Sequence, residues 1–279
     1  MDGAAHQVAD ETIDAGLDRL RAAVRELGSV VVAFSGGFDS ALVLAVAVRE
    51  LGERALALTA VSPSLPARER EEAVRIAMAL GARHELVESH EIHDPAYAAN
   101  PINRCFHCKS ELYRIAEERR QALGFAHVAN GTNRDDLGDH RPGLEAATRA
   151  SVRSPLFDAG LRKDAARAIA RRLGLDFWDK PAAACLSSRI PHGTPVTPER
   201  LAQIERLEDA LHALGLRQVR VRWHESVARV EVAHAEMERA FALRDAMVTA
   251  GRAAGFTFVA LDLAGYRQGS LNQLLPIAR

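Results

Sequence analysis

A short β-branched run that passes through a glycine pair into a helical pattern is the feature that most constrains the fold of this chain. Residues 30–34 read VVVAF, residues 35–40 read SGGFDS, and apolar residues recur at helical spacing over residues 40–51. A strand that enters a helix through a glycine turn is typical of open parallel sheets, whose ligands bind at the carboxyl ends of the strands. The turn therefore predicts a parallel α/β sheet and the edge at which that sheet binds its ligand.

The alternation of short apolar runs with helical patterns continues over the first half of the chain. Strands separated by helices imply right-handed crossovers and a parallel sheet that is covered on both faces. The predicted strands fall at residues 55–60, 84–88 and 127–131, and the predicted helices at residues 13–27, 66–80, 109–123 and 162–173. The fold class is therefore predicted to be α/β.

A stretch rich in proline and small residues interrupts this pattern between residues 176 and 200, and it places a predicted domain boundary near Pro191. We predict an α/β domain over residues 1–190 and a smaller α+β domain over residues 191–279, which a chain of 279 residues is long enough to form. In the second domain, helices are predicted at residues 198–214 and 235–250, and strands at residues 218–223, 228–232 and 256–261.

The composition narrows the classes of partner. Lys and Arg number 36, Asp and Glu number 37, and the formal net charge is −1, so nothing points to a nucleic-acid partner. The longest apolar run, residues 41–48, is too short to cross a bilayer, and the N-terminus has no basic leader, so we predict a cytoplasmic protein without a membrane partner. Three cysteines, two of them in a Cys-x-x-Cys pair, favour metal or redox chemistry over a disulfide framework.

The glycine turn has the residues that a phosphate site needs. Gly36 and Gly37 permit positive φ and let backbone amides converge on an anion, and the hydroxyls of Ser35 and Ser40 add donors beside a helix N-terminus. Asp39 would repel phosphates unless a divalent cation lay between them, which indicates a nucleotide bound with Mg²⁺. The alternative is a tight strand-to-helix turn that is capped by a side chain and binds nothing.

Cys105 and Cys108 fall in a predicted loop just before the helix that starts near Lys109. Their spacing lets two thiolates reach one metal, and the neighbouring Arg104 and Lys109 at a helix N-terminus are expected to favour ionised sulfur. Cys185, the third cysteine, lies in the proline- and glycine-rich stretch, which suits a thiol that must approach a bound substrate.

These cysteines leave several ligand sets open. Three thiolates match an iron-sulfur cluster with one iron left open, whereas zinc would need a fourth ligand such as His107. A third possibility is structural zinc at the Cys-x-x-Cys pair, with Cys185 as an ordinary buried core residue.

Acidic and basic residues near these motifs are further candidates. Asp135, Asp136 and Asp139 follow a predicted strand and are expected to lie near the nucleotide, although a solvated acidic turn would have the same composition. Arg189 lies four residues after Cys185 and could steady a phosphate or the charge that develops at an acyl adenylate, unless it is a surface residue.

Two arginines of the second domain alternate along one predicted strand. Arg220 and Arg222 therefore point to one face, where they could bind the phosphate of a substrate; an exposed sheet face explains them equally simply. Arg267 is a similar candidate.

The turn SGGFDS resembles the PP-loop of the ATP pyrophosphatase superfamily, SGGxDS. Further segments resemble the LarE family, whose members are ATP-dependent sulfur transferases that make the nickel-pincer nucleotide cofactor of lactate racemase. These segments are NRCFHCK, GTNRDDLGDHRPG, KPAAACLSSRIPHGTPVT, VRVRWHESVARVEV and LDLAGYRQGS. The chain is identified as a member of this family over nearly its whole length.

The resemblance implies a PP-loop domain of the adenine nucleotide alpha hydrolase-like fold and a homo-oligomer. It also implies that ATP and Mg²⁺ activate the carboxylates of pyridinium-3,5-biscarboxylic acid mononucleotide, which become thiocarboxylates. The implied ATP site contains Ser35, Gly36, Gly37, Asp39 and Ser40.

The resemblance also bears on the sulfur. Some family members have only the cysteine that matches Cys185, which surrenders its own sulfur; others have all three and hold a [4Fe-4S] cluster that carries sulfide from a separate source. Because this chain has all three, Cys105, Cys108 and Cys185 are the implied cluster ligands. The other implied roles are Asp136 for Mg²⁺, Asp39, Cys185 and Arg189 for catalysis, and Arg220 and Arg222 for the substrate.

Three other functions remain compatible with the motifs. A tRNA-thiolating PP-loop enzyme would need a basic surface that the composition does not indicate. An amide ligase that uses ammonia would have its cysteines on structural zinc. A nucleotide-binding module that changes shape with ATP would catalyse nothing.

Overall fold

A computed structural model describes residues 2–138, 142–181 and 184–267 of the chain. The described residues form two compact units. The first contains the chain up to Ser62, Ala67–Glu91 and the residues from Asn103 to 181; the second contains Pro63–Pro66, Ile92–Ile102 and the residues from Ala184 onward. The predicted boundary near Pro191 lies within the second unit.

The helices and strands occur in this order: α1 (Asp2–Arg25), β1 (Val30–Ala33), α2 (Phe38–Leu51), β2 (Ala55–Val61), α3 (Ala67–Ala79), β3 (Arg83–Glu88), α4 (Pro95–Ala98), α5 (Arg104–Leu123), β4 (His127–Ala129), α6 (Pro142–Arg149), α7 (Pro155–Asp158), α8 (Lys163–Arg172), α9 (Pro198–Ala213), β5 (Val219–His224), β6 (Val227–Val232), α10 (Met237–Ala242), α11 (Arg244–Ala254) and β7 (Phe258–Leu261). No helix within the described ranges combines the length and the apolar character needed to cross a bilayer.

The first unit is built on a parallel sheet with the strand order β3-β2-β1-β4. Central strand β1 pairs in parallel with β2 and β4, and Val30 stands opposite Ala55 and His127. Its side chains alternate between two cores: Val30 and Val32 pack with α1 and α2, while Val31 packs on the opposite face with α5. The predicted parallel sheet with both faces covered is confirmed.

Helix α2 lies in the centre of this unit. Nearly every side chain from Phe38 to Ala47 is buried, and Leu51 is buried at its end. A helix that is apolar all round has no solvent face, so it is covered by other elements on every side. Its N-terminus is consequently held in place at the carboxyl end of β1.

Two predicted elements are wrong in detail. Helix α5 begins at Arg104 rather than near Lys109, because no proline or glycine interrupts the segment after Asn103. The helix predicted at residues 235–250 is divided into α10 and α11, which meet at Leu243.

The second unit contains a three-stranded sheet with the order β5-β6-β7. Strands β5 and β6 are antiparallel, and β6 and β7 are parallel, so the sheet is mixed. Leu201, Ile204, Leu207 and Leu211 recur at helical spacing on α9 and are completely buried.

Candidate functional site

The turn between β1 and α2 requires glycine at residue 36. Gly36 has φ = +70°, and a Cβ at this residue would lie 2.9 Å from the Cβ of Ala73 on α3. Gly37 precedes α2 with extended backbone angles and serves as its N-cap residue. The loop therefore sits directly against α3, as the glycine pair allows.

A third glycine brings another strand end to the same place. A Cβ at Gly131, two residues after β4, would lie 2.5 Å from the backbone nitrogen of Ser40 and 2.7 Å from the carbonyl carbon of Asp39. The carboxyl end of β4 thus contacts the first turn of α2. The sequence analysis missed this role, although an isolated glycine after a strand is a known signal of close backbone approach.

Hydroxyl groups and backbone amides line this turn. Ser40 Oγ donates to the carbonyl of Gly37 at 3.0 Å, and the amide of Gly37 donates to Ser35 Oγ at 3.3 Å. Ser35 is exposed. Because the first N–H groups of a helix have no acceptor within the helix, the start of α2 adds donors and partial positive charge. The arrangement suits a polyanion such as a triphosphate.

Asp39 lies in the first turn of α2 among charged and polar neighbours. Asn133 Nδ2 donates to its Oδ1 at 3.1 Å, and Lys163 Nζ lies 3.7 Å from its Oδ2. Burial raises the pKa of the Asp39 carboxyl; Lys163 and Asn133 oppose that rise, and Asp136 adds to it by charge repulsion. A cation at this place would offset the cost of burying the Asp39 charge and would reduce its repulsion by Asp136.

Asn133 connects the two acidic side chains that the sequence analysis related to Mg²⁺. Its backbone amide donates to Asp136 Oδ2 at 2.9 Å, while its side chain bonds Asp39. The structure therefore brings Asp39 and Asp136 into one neighbourhood beside the turn, and the electrostatic effect of one on the other agrees with this placement. Two carboxylates together with phosphates are the usual ligands of Mg²⁺ in nucleotide sites.

The other two acids of the motif differ. Asp135 Oδ2 accepts from the backbone amide of Lys163 at 2.8 Å, and its Oδ1 lies 3.2 Å from Arg162, so this carboxylate caps the start of α8. Asp139 lies outside the described residues. Lys163 was missed by the sequence analysis because only the packing of α8 brings its ammonium group near Asp39.

The cysteines are distributed over both compact units. Cys105, which is exposed, and Cys108, which is partly buried, lie in the first turn of α5 rather than in the predicted loop. Their i, i+3 spacing puts them on one helix face. Cys185 belongs to the second unit. Among the described residues, no three His, Cys, Asp or Glu side chains gather as a metal site. The three-cysteine site stays a prediction.

The backbone on both sides of Cys185 is held by hydrogen bonds. The carbonyl of Cys185 accepts from Ser188 Oγ at 2.8 Å and from Arg189 Nη1 at 2.9 Å. Arg189 Nη1 also donates to the carbonyl of Ala184, and the amide of Leu186 donates to Ser64 at 2.9 Å. The thiol therefore projects from a backbone of defined conformation.

Arg189 is not a surface residue. Its side chain is 3% exposed and forms two bonds of 3.0 Å with the carboxylate of Glu208, which also accepts from the amide of Val221. Such a bidentate pair holds a guanidinium in one orientation. Arg189 thus supports the Cys185 backbone, and its predicted role at an acyl adenylate stays a prediction.

Arg220 and Arg222 lie on β5, but an exposed sheet face does not explain both. Arg222 is buried and donates to Glu231 at 2.8 Å and to the carbonyl of Ser188 at 3.0 Å. Arg220 is partly buried. Burial lowers the pKa of Arg220, and the positive charges of Arg189 and, more weakly, Arg222 lower it further, whereas Glu208 opposes this shift. These three arginines lie close together beside the Cys185 turn, where Glu208 pairs with Arg189 and Glu231 pairs with Arg222.

Arg220 also contacts an aromatic ring. Its guanidinium lies 5.3 Å from the centroid of the Tyr266 ring, within the range of a cation–π interaction. Arg267 is exposed, and its charge helps to lower the pKa of Asp262, after the bonds from Ala264 and Arg229 to the same carboxyl. Arg267 is therefore the most exposed of the four predicted arginines.

This chain is similar in sequence to several known proteins. A family model described as NAD synthase matches residues 12–119, which include β1, the glycine turn and most of α5. An uncharacterized protein of Synechocystis sp. is 43% identical over 267 residues, which are 94% of this chain and 99% of that protein.

Two further relatives have similar coverage. The pyridinium-3,5-bisthiocarboxylic acid mononucleotide synthase of Lactiplantibacillus plantarum is 36% identical over 261 residues, 93% of this chain and 95% of the synthase. An uncharacterized protein of Methanocaldococcus jannaschii is 26% identical over 238 residues, 85% of this chain and 90% of that protein. Coverage of this extent includes both compact units.

Proposed function

Because this chain belongs to the LarE family of PP-loop proteins, we propose that it is an ATP-dependent sulfurtransferase that converts pyridinium-3,5-biscarboxylic acid mononucleotide into its thiocarboxylate. The observation that carries the proposal is the 36% identity to the Lactiplantibacillus plantarum synthase over 93% of the chain. The product name of that synthase indicates the substrate class. The first unit contains the proposed ATP site together with Cys105 and Cys108, and the second unit contains Cys185 and the arginines proposed to bind the substrate.

The glycine turn is the proposed site of the ATP phosphates. The N–H groups at the start of α2 and the hydroxyl of Ser35 donate to the β- and γ-phosphates, and Lys163 adds positive charge at Asp39. A substrate carboxylate oxygen attacks the α-phosphorus, the bond to the β-phosphate oxygen breaks, and pyrophosphate leaves. The donors of the turn stabilise the charge that accumulates on this leaving group.

Asp39 and Asp136 are the residues that would hold Mg²⁺. Their carboxylates share Asn133 as a hydrogen-bond partner, and burial together with the charge of Asp136 raises the pKa of Asp39. A bound Mg²⁺ would supply neutralisation of the phosphate charge. The donor chemistry therefore fits the ion.

Sulfur replaces AMP in the second step. A thiolate or hydrosulfide attacks the acyl carbon, and AMP departs with the oxygen that links it to the carboxyl, so one C–O bond is exchanged for one C–S bond. In the second unit, Arg220 and Arg222 are the proposed partners of the substrate phosphate, and the held backbone of Cys185 presents a thiol.

The sulfur carrier is proposed to be a [4Fe-4S] cluster. Three thiols are a donor set that leaves one iron open, and Cys105 and Cys108 present two of them on one face of α5. Cys105, Cys108 and Cys185 would hold the cluster, and the open iron would bind sulfide. Sacrifice of the Cys185 sulfur and zinc completed by His107 are the competing arrangements.

Metal content tests this assignment. We expect anaerobically purified protein to contain about four irons and four acid-labile sulfides per chain, with broad visible absorption, and we expect Cys108→Ala to lose most of both. Ser110→Ala on the same helix is the matched control and should keep them. Zinc, or no metal after anaerobic reconstitution, would contradict the cluster.

The proposed reaction itself is tested by product analysis. With ATP, Mg²⁺, sulfide and the pyridinium dicarboxylate nucleotide, we expect equal amounts of pyrophosphate and AMP, and a thiocarboxylate visible by mass spectrometry. The same nucleotide without ring carboxylates is the control and should give no pyrophosphate. Pyrophosphate release that requires tRNA, or an amide product formed from ammonia, would replace this proposal with one of the rival functions.

A further inference from the structure

Lys180, which lies among the last residues of the first unit in sequence, contacts the phosphate loop. Its Nζ donates to the carbonyl of Gly36 at 2.9 Å and to Glu69 Oε2 at 3.1 Å. The side chain of Lys180 is 12% exposed, and that of Glu69 is 24% exposed. A partly buried ammonium on a main-chain carbonyl of this loop is not explained by the phosphate contacts proposed above.

Hydrogen bonds from Arg167 fix the backbone of Lys180, and so the direction in which its ammonium group extends to Gly36. Arg167 on α8 donates to the carbonyls of Trp178 and Lys180, at 2.5 Å and 3.0 Å, and stacks on the ring of Phe38 at 4.8 Å from its centroid. Phe38 is the first residue of α2. The anchor of Lys180 and the start of α2 are therefore parts of one packed arrangement.

Peptide planarity gives the contact its consequence. In a trans peptide, the carbonyl of Gly36 and the N–H of Gly37 point in opposite directions. The carbonyl points to Lys180, so the N–H of Gly37 points the other way, towards Ser35 Oγ at 3.3 Å. Because glycine on either side allows a peptide to turn over at low steric cost, the loop alone does not fix this orientation. A reversed peptide would direct oxygen towards a phosphate.

We propose that Lys180 is a positioning residue of the phosphate loop, which holds the Gly36–Gly37 peptide with its N–H on the side of Ser35, where the polyphosphate is proposed to bind, and which is itself oriented by Glu69. The inference rests on the proposed binding of ATP at this loop. Lys180 binds the Gly36 carbonyl on the side opposite to the Gly37 N–H, in the way that Thr59 Oγ1 donates to the carbonyl of Phe34, two residues earlier, at 2.7 Å.

Nucleotide binding to the full chain tests the proposal. We expect Lys180→Met to weaken the binding of Mg²⁺–ATP, measured by calorimetry, by about tenfold or more, because hydrogen bonds to charged groups have this magnitude. AMP, which lacks the β- and γ-phosphates, should lose much less affinity. A role in folding alone would lower the melting temperature and the binding-competent fraction without changing this ATP-to-AMP ratio.

The direction of the Glu69→Gln effect separates positioning from direct phosphate contact. If Lys180 positions the peptide, loss of Glu69 weakens ATP binding about threefold, because the ammonium loses its orienting partner. If Lys180 leaves the loop to bind phosphate, loss of this competing carboxylate tightens ATP binding. Exposed Glu71 lies on the same helix, and Glu71→Gln, which removes the same charge there, is the matched control.

Unchanged ATP affinity in Lys180→Met, or tighter binding in Glu69→Gln than in Glu71→Gln, would overturn the proposal. Should Lys180→Met not fold, Glu69→Gln and Glu71→Gln give the decision. No pyridinium substrate is needed, so absence of thiocarboxylate would refute the proposed function without affecting this measurement. Conversely, normal turnover with unchanged ATP affinity would refute only the role of Lys180.

Discussion

Cys185→Ser is expected to lower the rate of thiocarboxylate formation by about three orders of magnitude or more, while pyrophosphate release continues. The phosphate loop and its acids belong to the first compact unit, whereas Cys185 lies in the second. Serine keeps the size of the side chain and leaves the hydrogen bonds of the Cys185 carbonyl intact. The activated carboxylate should then be lost to water, because oxygen in place of the thiol cannot deliver sulfur.

Parallel measurement of pyrophosphate and thiocarboxylate separates the possible roles of the thiols. With a cluster, Cys105→Ser and Cys108→Ser lose thiocarboxylate as Cys185→Ser does. With sacrificial chemistry, only Cys185→Ser loses it, and mass spectrometry of the wild type finds Cys185 converted to dehydroalanine after turnover. Wild-type amounts of thiocarboxylate in Cys185→Ser would remove this residue from the mechanism and favour structural roles for the cysteines.

Asp39→Asn is expected to lower the rate of pyrophosphate formation by about a hundredfold or more and to raise the Mg²⁺ concentration needed for half-maximal rate. Asparagine keeps an oxygen that can accept from Asn133 but removes one of the two carboxylates proposed to hold the ion. The charge on Lys163 also loses its partner. The measurement is the initial rate of pyrophosphate release as a function of Mg²⁺.

Stability distinguishes this effect from misfolding. Because burial raises the pKa of Asp39, the folded protein binds this proton more tightly than the unfolded chain. That contribution to stability is fully present below the unfolded pKa and is lost as pH rises through the folded pKa. At neutral pH, Asp39→Asn should therefore be at least as stable as wild type.

Asp135→Asn is the matched control for Asp39→Asn. This neighbouring carboxylate accepts from the first residue of α8 and has no proposed metal role; because asparagine can accept the same bond, Asp135→Asn should change stability and activity little. An Asp39→Asn protein with wild-type Mg²⁺ dependence would contradict the proposed ion site.

Local signals in the sequence were sufficient for the architecture of the first unit. The β-branched run of β1, the glycine turn and the apolar pattern of α2 each extend over only a few residues, and together they predicted the parallel sheet and the position of its binding edge. The i, i+3 spacing of the cysteines also holds, although the helix that carries them begins earlier than predicted, since propensity locates helix ends poorly.

Tertiary structure alone decided which distant residues meet. The ammonium of Lys163 near Asp39, the contact of Gly131 with Ser40 and the burial of Arg189 against Glu208 join residues far apart in the chain. The short segments Pro63–Pro66 and Ile92–Ile102 likewise belong with the second unit. Periodicity determines which face of an element is buried, but strand register and helix packing determine what lies opposite it, and those depend on the whole folded chain.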